Sequence, residues 1–224
     1  MRFSPGKAKR ARCINAVAAG RMPLAERLAA CQQVFEQAGL PLIVRITPFT
    51  RPPDLDAVLA QRGMSRVDDT RVMVLCDLPE KAAQLRPGIT LRTLGLEAFA
   101  QRVGAFRGST LARRQAHADR LLNSPVPFHA FELRADDAPV ACGQFAIEGA
   151  LVGLYDIFTV ASARGHGFAT TLCRYLLDQA RPHGARQAYL QVEGDNHVAR
   201  SVYHRLGFAD GYAYHYRALT SSAA

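Results

Sequence analysis

This chain has no tryptophan, few lysines and no long apolar run. Only three of its 28 basic residues are lysines (Lys7, Lys9 and Lys81). No stretch approaches the roughly 18 consecutive apolar residues of a membrane helix, so we expect no membrane-spanning segment. The basic start, "MRFSPGKAKRAR", is not followed by an apolar stretch long enough for a signal peptide. At 224 residues, the chain has room for one large domain or two small ones.

Cysteine is sparse and carries no metal-binding pattern. The five cysteines (Cys13, Cys31, Cys76, Cys142 and Cys173) are odd in number, widely spaced and without a C-x-x-C pair. This argues against a disulfide framework or a zinc site, so we expect no metal. It favours reduced thiols and a cytoplasmic location.

Arginine accounts for a formal net charge of +9. One interpretation is a polyanionic partner such as a nucleic acid. The other is an arginine-rich composition together with a pocket for an anionic cofactor. Outside the first twelve residues the arginines are scattered rather than clustered. The second interpretation is therefore favoured, and a nucleic-acid partner is not expected.

Hydrophobic periodicity predicts two successive series of strands and helices. The first has strands at 11–19, 40–49 and 71–78 and helices at 23–38 and 52–63, followed by a linker at 79–88. The second comprises strand 89–94, helices 96–108 and 111–124, three strands within 127–160, helix 168–180, strand 186–193, helix 196–206 and strand 212–219.

The two series follow the same order. Gly63 aligns with Gly207, each with an arginine within two residues before it, and the helix at 23–38 aligns with the helix at 168–180. This predicts an incomplete copy in front of a complete one. We therefore predict two domains, residues 1–80 and 81–224.

The stretch "TVASARGHGFATTL", residues 159–172, joins a predicted strand to a predicted helix. Glycine-rich backbone at a helix N-terminus presents N–H groups to one point, where the helix dipole favours an anion. Gly165 and Gly167 permit close approach, and Arg164 adds a charged donor. A glycine needed only to turn the chain is the alternative interpretation.

Two common phosphate loops do not fit this stretch. A P-loop requires a lysine after its last glycine, and a dinucleotide fingerprint requires a small residue where Thr170 stands. The pattern R/Q-x-x-G-x-G/A does fit, with Arg164, Gly167 and Ala169. A second motif, N-x-x-A-x-x-x-Y-x-x-x-G-F, follows 32 residues later as "NHVARSVYHRLGF", residues 196–208.

In this order the two motifs resemble those of the GNAT acetyltransferase superfamily, over about residues 88–219. The resemblance implies an α/β fold with a mixed, mostly antiparallel sheet, a splayed strand pair and flanking helices. Residues 1–80 resemble the partial, degenerate GNAT-like domain of two-domain members. "AVAAGRMPLAE" there departs from the first motif, so we expect no cofactor in that half.

The resemblance further implies transfer of an acetyl group from acetyl-CoA to a primary amine by direct attack on the thioester. It assigns acetyl-CoA binding to the strand end, the loop and the start of the second motif. These residues are Phe158, Thr159, Val160, Arg164, Gly165, His166, Gly167, Phe168, Ala169, Thr170 and Asn196. Asn196 also fits an ordinary helix N-cap.

Three residues are candidates for proton transfer. Tyr203 matches the family's general acid, although a core aromatic is the alternative. Asp156, in the apolar strand "GLYDIFTV", and Glu193, at the end of "YLQVE", are candidates for a substrate contact or a general base. A salt bridge is the alternative for both. We expect His166 to face solvent, His215 to be structural and Cys173 to be a buried apolar residue.

The acceptor stays open between a small-molecule amine and a protein amino group. A GNAT-like module that binds acetyl-CoA without turnover is the competing interpretation, against which Tyr203 and the complete loop argue. A homodimer is compatible with the sequence, and no membrane partner is expected.

Overall fold

The computed structural model describes residues 9–80 and 84–219. Most of the basic start (residues 1–8) and residues 81–83 of the predicted linker lie outside this part. The contacts divide the chain into two units. The first comprises residues up to Arg71 together with Glu193–Asp195 and the chain from Tyr212. The second comprises Val72–Val192 and Asn196–Gly211.

The first unit packs two helices against a short sheet. Its elements are β1 (Ile14–Asn15), α1 (Leu24–Gln37), β2 (Ile43–Ile46), α2 (Leu55–Gln61) and most of β3 (Ser65–Leu75). The order of its strands is β1-β2-β9-β3, where β9 (Ala209–Ala218) comes from the end of the chain. β1 pairs with β2 in parallel, and β2 pairs with β9 antiparallel. Phe35, Val44 and Leu59 lie at the centre of its core.

The second unit contains the rest of the chain's regular structure. Its elements are β4 (Ile89–Leu94), α3 (Leu96–Phe106), α4 (Leu111–Leu122), β5 (Phe128–Ala135), β6 (Ala138–Glu148), β7 (Leu151–Thr159), α5 (Phe168–Ala180), β8 (Gln187–Glu193, in this unit to Val192), α6 (His197–Arg205) and the ends of β3 and β9. Its strand order is β3-β8-β7-β6-β5-β4. β4 to β7 are antiparallel neighbours, and β7 pairs with β8 in parallel.

Helices cover both faces of this second sheet. Phe131 and Leu133 pack into one core with α5 and α6, whereas Ala130 packs into another with α3 and α4. Because neighbouring residues of a strand point to opposite faces, these cores lie on opposite sides of the sheet. The α/β fold with a mixed, mostly antiparallel sheet and flanking helices is confirmed.

The structure confirms the predicted order of elements and corrects several boundaries. Strand 89–94 and helix 168–180 have the predicted ends. The strand predicted at 11–19 is wrong in length, since only Ile14 and Asn15 pair with β2. β3 begins at Ser65, six residues before the predicted strand, because residues 65–69 alternate between half-buried and exposed positions that a search for apolar runs passes over.

The strands β7 and β8 separate part of the way along their length. Their parallel register runs from Leu151–Gln187 to Leu154–Leu190, while β7 continues to Thr159. On its other side, β7 shifts register against β6 between Cys142 and Gln144. The extra residue of β7 at this bulge turns the backbone, and Asp156 there has φ 51°. A gap therefore opens beside the end of β7.

Candidate active site

The loop after β7 has the backbone geometry that an anion site needs. After a short 3₁₀ turn at Ala161–Ala163, Gly165 and Gly167 have φ of 82° and 80°. These are left-handed conformations that favour glycine. A Cβ built at either position would meet no described atom within 4 Å, so the space in front of the loop is open. The loop therefore leaves room for a ligand close to its backbone.

The start of α5 supplies hydrogen-bond donors to that space. Gly167 is the N-cap of α5, no side chain caps the helix, and its first turn contains no acidic residue. The first N–H groups of a helix have no partner within the helix and attract negative charge. Beside them lies a groove of about 570 Å³, whose walls include Arg86, Pro87 and residues 165–168. The site accordingly fits a phosphorylated ligand.

The end of β7 presents aromatic and polar groups. Phe158 stacks on Phe106 with 6.1 Å between ring centroids, and Arg107 and Arg164 lie 5.6 and 6.0 Å from its ring. The Thr159 hydroxyl is buried without a hydrogen-bond partner. Val160 donates its N–H to the Val140 carbonyl, so it is tied to β6. Thr159 is the residue of this group that has capacity for a further hydrogen bond.

Asn196 and Tyr203 both lie on or next to α6. The Asn196 side chain accepts a hydrogen bond from the Ala199 N–H at 3.1 Å, which is the expected N-cap contact. Tyr203 is 9% exposed and packs edge-on against Phe208. Burial, with a smaller contribution from the neighbouring Cys173, raises the pKa of Tyr203 well above its usual range. The phenol therefore keeps its proton at neutral pH and can act as a donor.

Asp156 is the centre of a half-buried polar cluster. Arg107 Nη1 donates to its Oδ1 at 2.9 Å, and Gln144 Nε2 donates to its Oδ2 at 2.8 Å. His117 Nε2 lies 3.3 Å from Oδ2. Burial alone would raise the pKa of Asp156, but His117 and Arg107 outweigh it and hold the pKa well below its usual range. Asp156 is therefore a fixed negative charge at neutral pH.

Comparison with known proteins identifies the family. Residues 98–208 match the model of the acetyltransferase (GNAT) family. The chain belongs to the GNAT superfamily. This membership supports acetyl transfer as the general class of activity, and the family uses acetyl-CoA.

Individual relatives agree with this assignment. An uncharacterized N-acetyltransferase of Bacillus subtilis, YobR, is 24% identical over 190 residues, which are 82% of this chain and 75% of the relative. A GCN5-related N-acetyltransferase from Kribbella flavida has the same fold, with a TM-score of 0.66 and 20% identity over 87% of this chain and 74% of its own. A tandem GNAT protein from the clavulanic acid pathway has a TM-score of 0.67 and 16% identity, covering 89% and 70%.

The remaining sequence candidates fall in different surroundings. Glu193 is exposed at the end of β8 and belongs to the first unit, so its role stays a prediction. His166 is exposed and stacks on Phe168, as expected for a solvent-facing side chain. His215 contacts Asp56 within the first unit. Cys173 is fully buried in the α5 core, where burial raises its pKa to about 12.

Four residues of this GNAT domain were missed by sequence reasoning. Arg86 stood in the predicted linker, and Arg107 and His117 stood among the many basic residues of two amphipathic helices. Gln144 is a polar residue within the apolar run "VACGQFAI", which is the signal that the sequence offered, and the structure buries it at 1% exposure. Within the described ranges, no group of three or more His, Cys, Asp or Glu could hold a metal, and no helix has the length and apolar character to cross a membrane.

Proposed function

We propose that this GNAT protein transfers the acetyl group of acetyl-CoA to a primary amine by direct attack on the thioester. The observation that carries the proposal is the open loop at residues 164–169, with two left-handed glycines and an uncapped helix start, at the end of a strand that parts from its neighbour. Phosphate recognition and room for an extended arm thus occur together.

The loop would hold the pyrophosphate through backbone N–H groups between Arg164 and Ala169. The Arg164 side chain, whose Nε lies 3.4 Å from the Thr159 carbonyl, would add charge at the same place, and Arg86 would add it from the other wall of the groove. The arm of the donor would lie in the gap beside β7 as an added strand. Thr159 Oγ1 is a hydrogen-bonding group suited to that arm.

The reaction forms one N–C bond and breaks one C–S bond. The attacking amine must first be neutral, and the departing thiolate takes up a proton. Tyr203, which keeps its proton at neutral pH and stands at the position of the family's general acid, is the residue that we assign to give that proton. A backbone N–H at the bulge of β7 is suited to stabilise the negative charge that develops on the carbonyl oxygen.

Asp156 suits a charge-bearing role better than that of a general base. A base works best when its pKa lies near the operating pH. The pKa of Asp156 is far below that, and its two oxygens already contact Arg107, Gln144 and His117. We therefore infer that Asp156 positions these neighbouring side chains and does not accept the proton of the amine.

The first test concerns the loop. Gly167→Val places a β-branched side chain at φ 80° in the open space, and we expect acetyl-CoA binding to be lost. Gly184→Val is the matched control, because Gly184 also has a left-handed φ (95°) and no described atom within 4 Å, but lies outside the loop. Each substitution costs about 1–3 kcal/mol of backbone strain. Calorimetry that finds equal affinity in both variants would remove the loop from this role.

The second part of the test measures chemistry. Thiol release from acetyl-CoA is followed with putrescine, L-lysine, kanamycin and the tripeptide Ser-Ala-Ala as acceptors. Amine-dependent release supports transfer. Tight binding of acetyl-CoA with no release in any of these reactions would favour the alternative, a module that binds acetyl-CoA without turnover.

A further inference from the structure

A histidine faces the ionised carboxylate of the candidate site. His117, on α4, has a side chain 13% exposed, and its Nε2 lies 3.3 Å from Asp156 Oδ2. Nε2 is buried and makes no aligned hydrogen bond in this structure. Phe99 packs edge-on against the ring, at 6.4 Å between centroids. The imidazole is thus enclosed with one nitrogen toward Asp156.

The position of Asp156 places this pair at the mouth of the gap in the sheet. Leu154 is the last residue of β7 in register with β8, and Asp156 follows two residues later, on the bulge. The proposed arm enters beside this segment of β7. A histidine that contacts Asp156 is therefore close to the place where the amine would attack the thioester.

Resting on the proposed acetyl transfer, we propose that His117 is the group that takes the proton from the acceptor amine, and that Asp156 is its positioning residue. The imidazole would keep Nε2–H toward the carboxylate, which leaves the lone pair of Nδ1 to accept the proton. The ammonium R–NH₃⁺ becomes R–NH₂, and His117 becomes an imidazolium that Asp156 stabilises. The amine then forms the N–C bond, the C–S bond breaks, and the thiolate leaves with the proton of Tyr203. The second nitrogen proton, released as the amide forms, returns to Tyr203 through solvent.

The surroundings of the pair contain several other charged or titratable groups. They are Arg102 on α3, Arg107 directly after α3, Glu132 on β5 and Cys142 on β6. On α4 itself, Arg113 and Arg114 precede His117 by about one turn. Glu132 is paired with Arg102 and Arg134, and burial raises the pKa of Cys142 to about 12. Of the side chains in this cluster, histidine is the type that most often serves as a general base.

The chain offers a matched control for the test. In the first unit, His215 Nε2 lies 2.9 Å from Asp56 Oδ1, beside Arg217, so it too is a largely buried histidine in an Asp–Arg cluster. A histidine that only ties elements together should behave alike in both clusters. A proton acceptor should be distinguished by the pH dependence of the rate.

The experiment compares His117→Gln with His215→Gln, using acetyl-CoA and whichever of the four amines supports thiol release. We expect His117→Gln to lower kcat about 10²–10⁴-fold and to remove the acidic limb of the kcat–pH profile. Acetyl-CoA affinity, measured by calorimetry, should be kept in both variants. His215→Gln should keep the acidic limb.

Each other outcome overturns a defined part of the proposal. An unchanged kcat, or a lowered kcat with the acidic limb intact, rejects His117 as the base while leaving acetyl transfer in place. Absence of thiol release in the wild type with all four amines rejects the proposed function itself.

If His117→Gln does not fold, Asp156→Asn supplies the second variant. It should lower kcat and shift the acidic limb without removing it, because the base remains. An unshifted limb in Asp156→Asn would reject the pairing. Where both variants fold, the double variant should lose no more activity than His117→Gln alone.

Discussion

Each of the two units contains an aspartate that contacts a histidine and an arginine, but the settings differ. In the first unit, Asp56 accepts from His215 at 2.9 Å and from Arg217 at 2.7 Å. In the second, Asp156 contacts His117 and Arg107 at 3.3 and 2.9 Å. The Asp56 side chain is 37% exposed and the Asp156 side chain 19%.

The difference lies in how completely the partners are satisfied. Arg217 also donates to the Met64 carbonyl, so the first cluster links α2, β9 and the chain before β3 through aligned hydrogen bonds. In the second cluster, His117 Nε2 and Gln144 Oε1 are buried without an aligned partner. The same three residue types therefore tie elements together in one unit and keep hydrogen-bonding capacity in the other.

The strand–helix corners differ in the same sense. When α1 is aligned with α5, Gly20 falls on Gly165 and Met22 falls on Gly167. A Cβ at Gly20 would lie 2.7 Å from Arg27 Nη1, so the chain's own arginine fills the space in front of the first corner. The space in front of the second is open. Both corners have a strand followed by a helix. They differ in the space in front of the helix, which a side chain occupies in the first corner and which is open in the second.

Among substitutions that test the difference between the two units, we expect the largest effect on activity at Tyr203. Its counterpart in the first unit, by the alignment of Gly63 with Gly207, is the fully buried Leu59. Tyr203→Phe keeps the ring and its packing but removes the proposed acid. We expect kcat to fall about 10²–10⁴-fold with acetyl-CoA affinity retained. Steady-state kinetics showing full kcat would leave Tyr203 as a packing residue alone.

The next effect concerns the stability that each aspartate provides. Asp156→Asn should destabilise the protein by about 2–3 kcal/mol, because the Arg107 guanidinium loses its charged partner in a half-buried cluster. Asp56→Asn should cost under about 1 kcal/mol, since that pair is partly exposed and screened. Urea unfolding at pH 7 measures both, and equal costs would contradict the difference in setting.

The pH dependence of these two costs follows from the sign of the pKa shifts. Burial tends to raise the pKa of Asp56, but Arg217 and His215 lower it overall, and the pKa of Asp156 is lowered further. A lowered pKa stabilises the folded state above the unfolded value and loses that contribution as the pH falls through the folded value. The difference in the free energy of unfolding between wild type and each variant should therefore shrink below about pH 4. For Asp156→Asn this difference should persist to lower pH than for Asp56→Asn.

The smallest effect is expected from opening the first corner. Arg27→Ala removes the side chain in front of Gly20 but leaves Met22 in place of a glycine. We expect one acetyl-CoA per chain in both wild type and variant, with stability changed by less than about 1 kcal/mol. A second equivalent bound by the variant in calorimetry would show that Arg27 alone closes that corner.

Much of the fold was predictable because it depends on local signals. Apolar periodicity and the glycines after α1, α2 and α6 indicated those helices, and all three glycines (Gly39, Gly63 and Gly207) have left-handed φ. The loop at 164–169 was predictable for the same reason, since its glycines and its motif are contiguous. The length of β1 was not predictable, because the apolar run at 11–19 does not indicate which of its residues pair with β2.

The polar cluster at Asp156 was beyond such reasoning. Its members come from α4, β6, β7 and the residue that follows α3, up to 49 residues apart along the chain. Asp156 itself was predictable as a charge within an apolar strand. Its partners were not, since a histidine and an arginine on amphipathic helices look like ordinary surface residues until the helices pack.

The sharing of β3 and β9 between the units bears on how the chain could be divided. β3, the last strand of the first series, ends in the second unit, where it neighbours β8. β9, the last strand of the second series, ends in the first unit, where it pairs with β2. A cut at the predicted boundary near residue 80 would leave each fragment without a strand that completes its sheet. The unpaired N–H and C=O groups of β2 and β8 would then form exposed sheet edges that can pair with another chain and aggregate. The chain therefore cannot be divided near residue 80 without taking a strand from each unit.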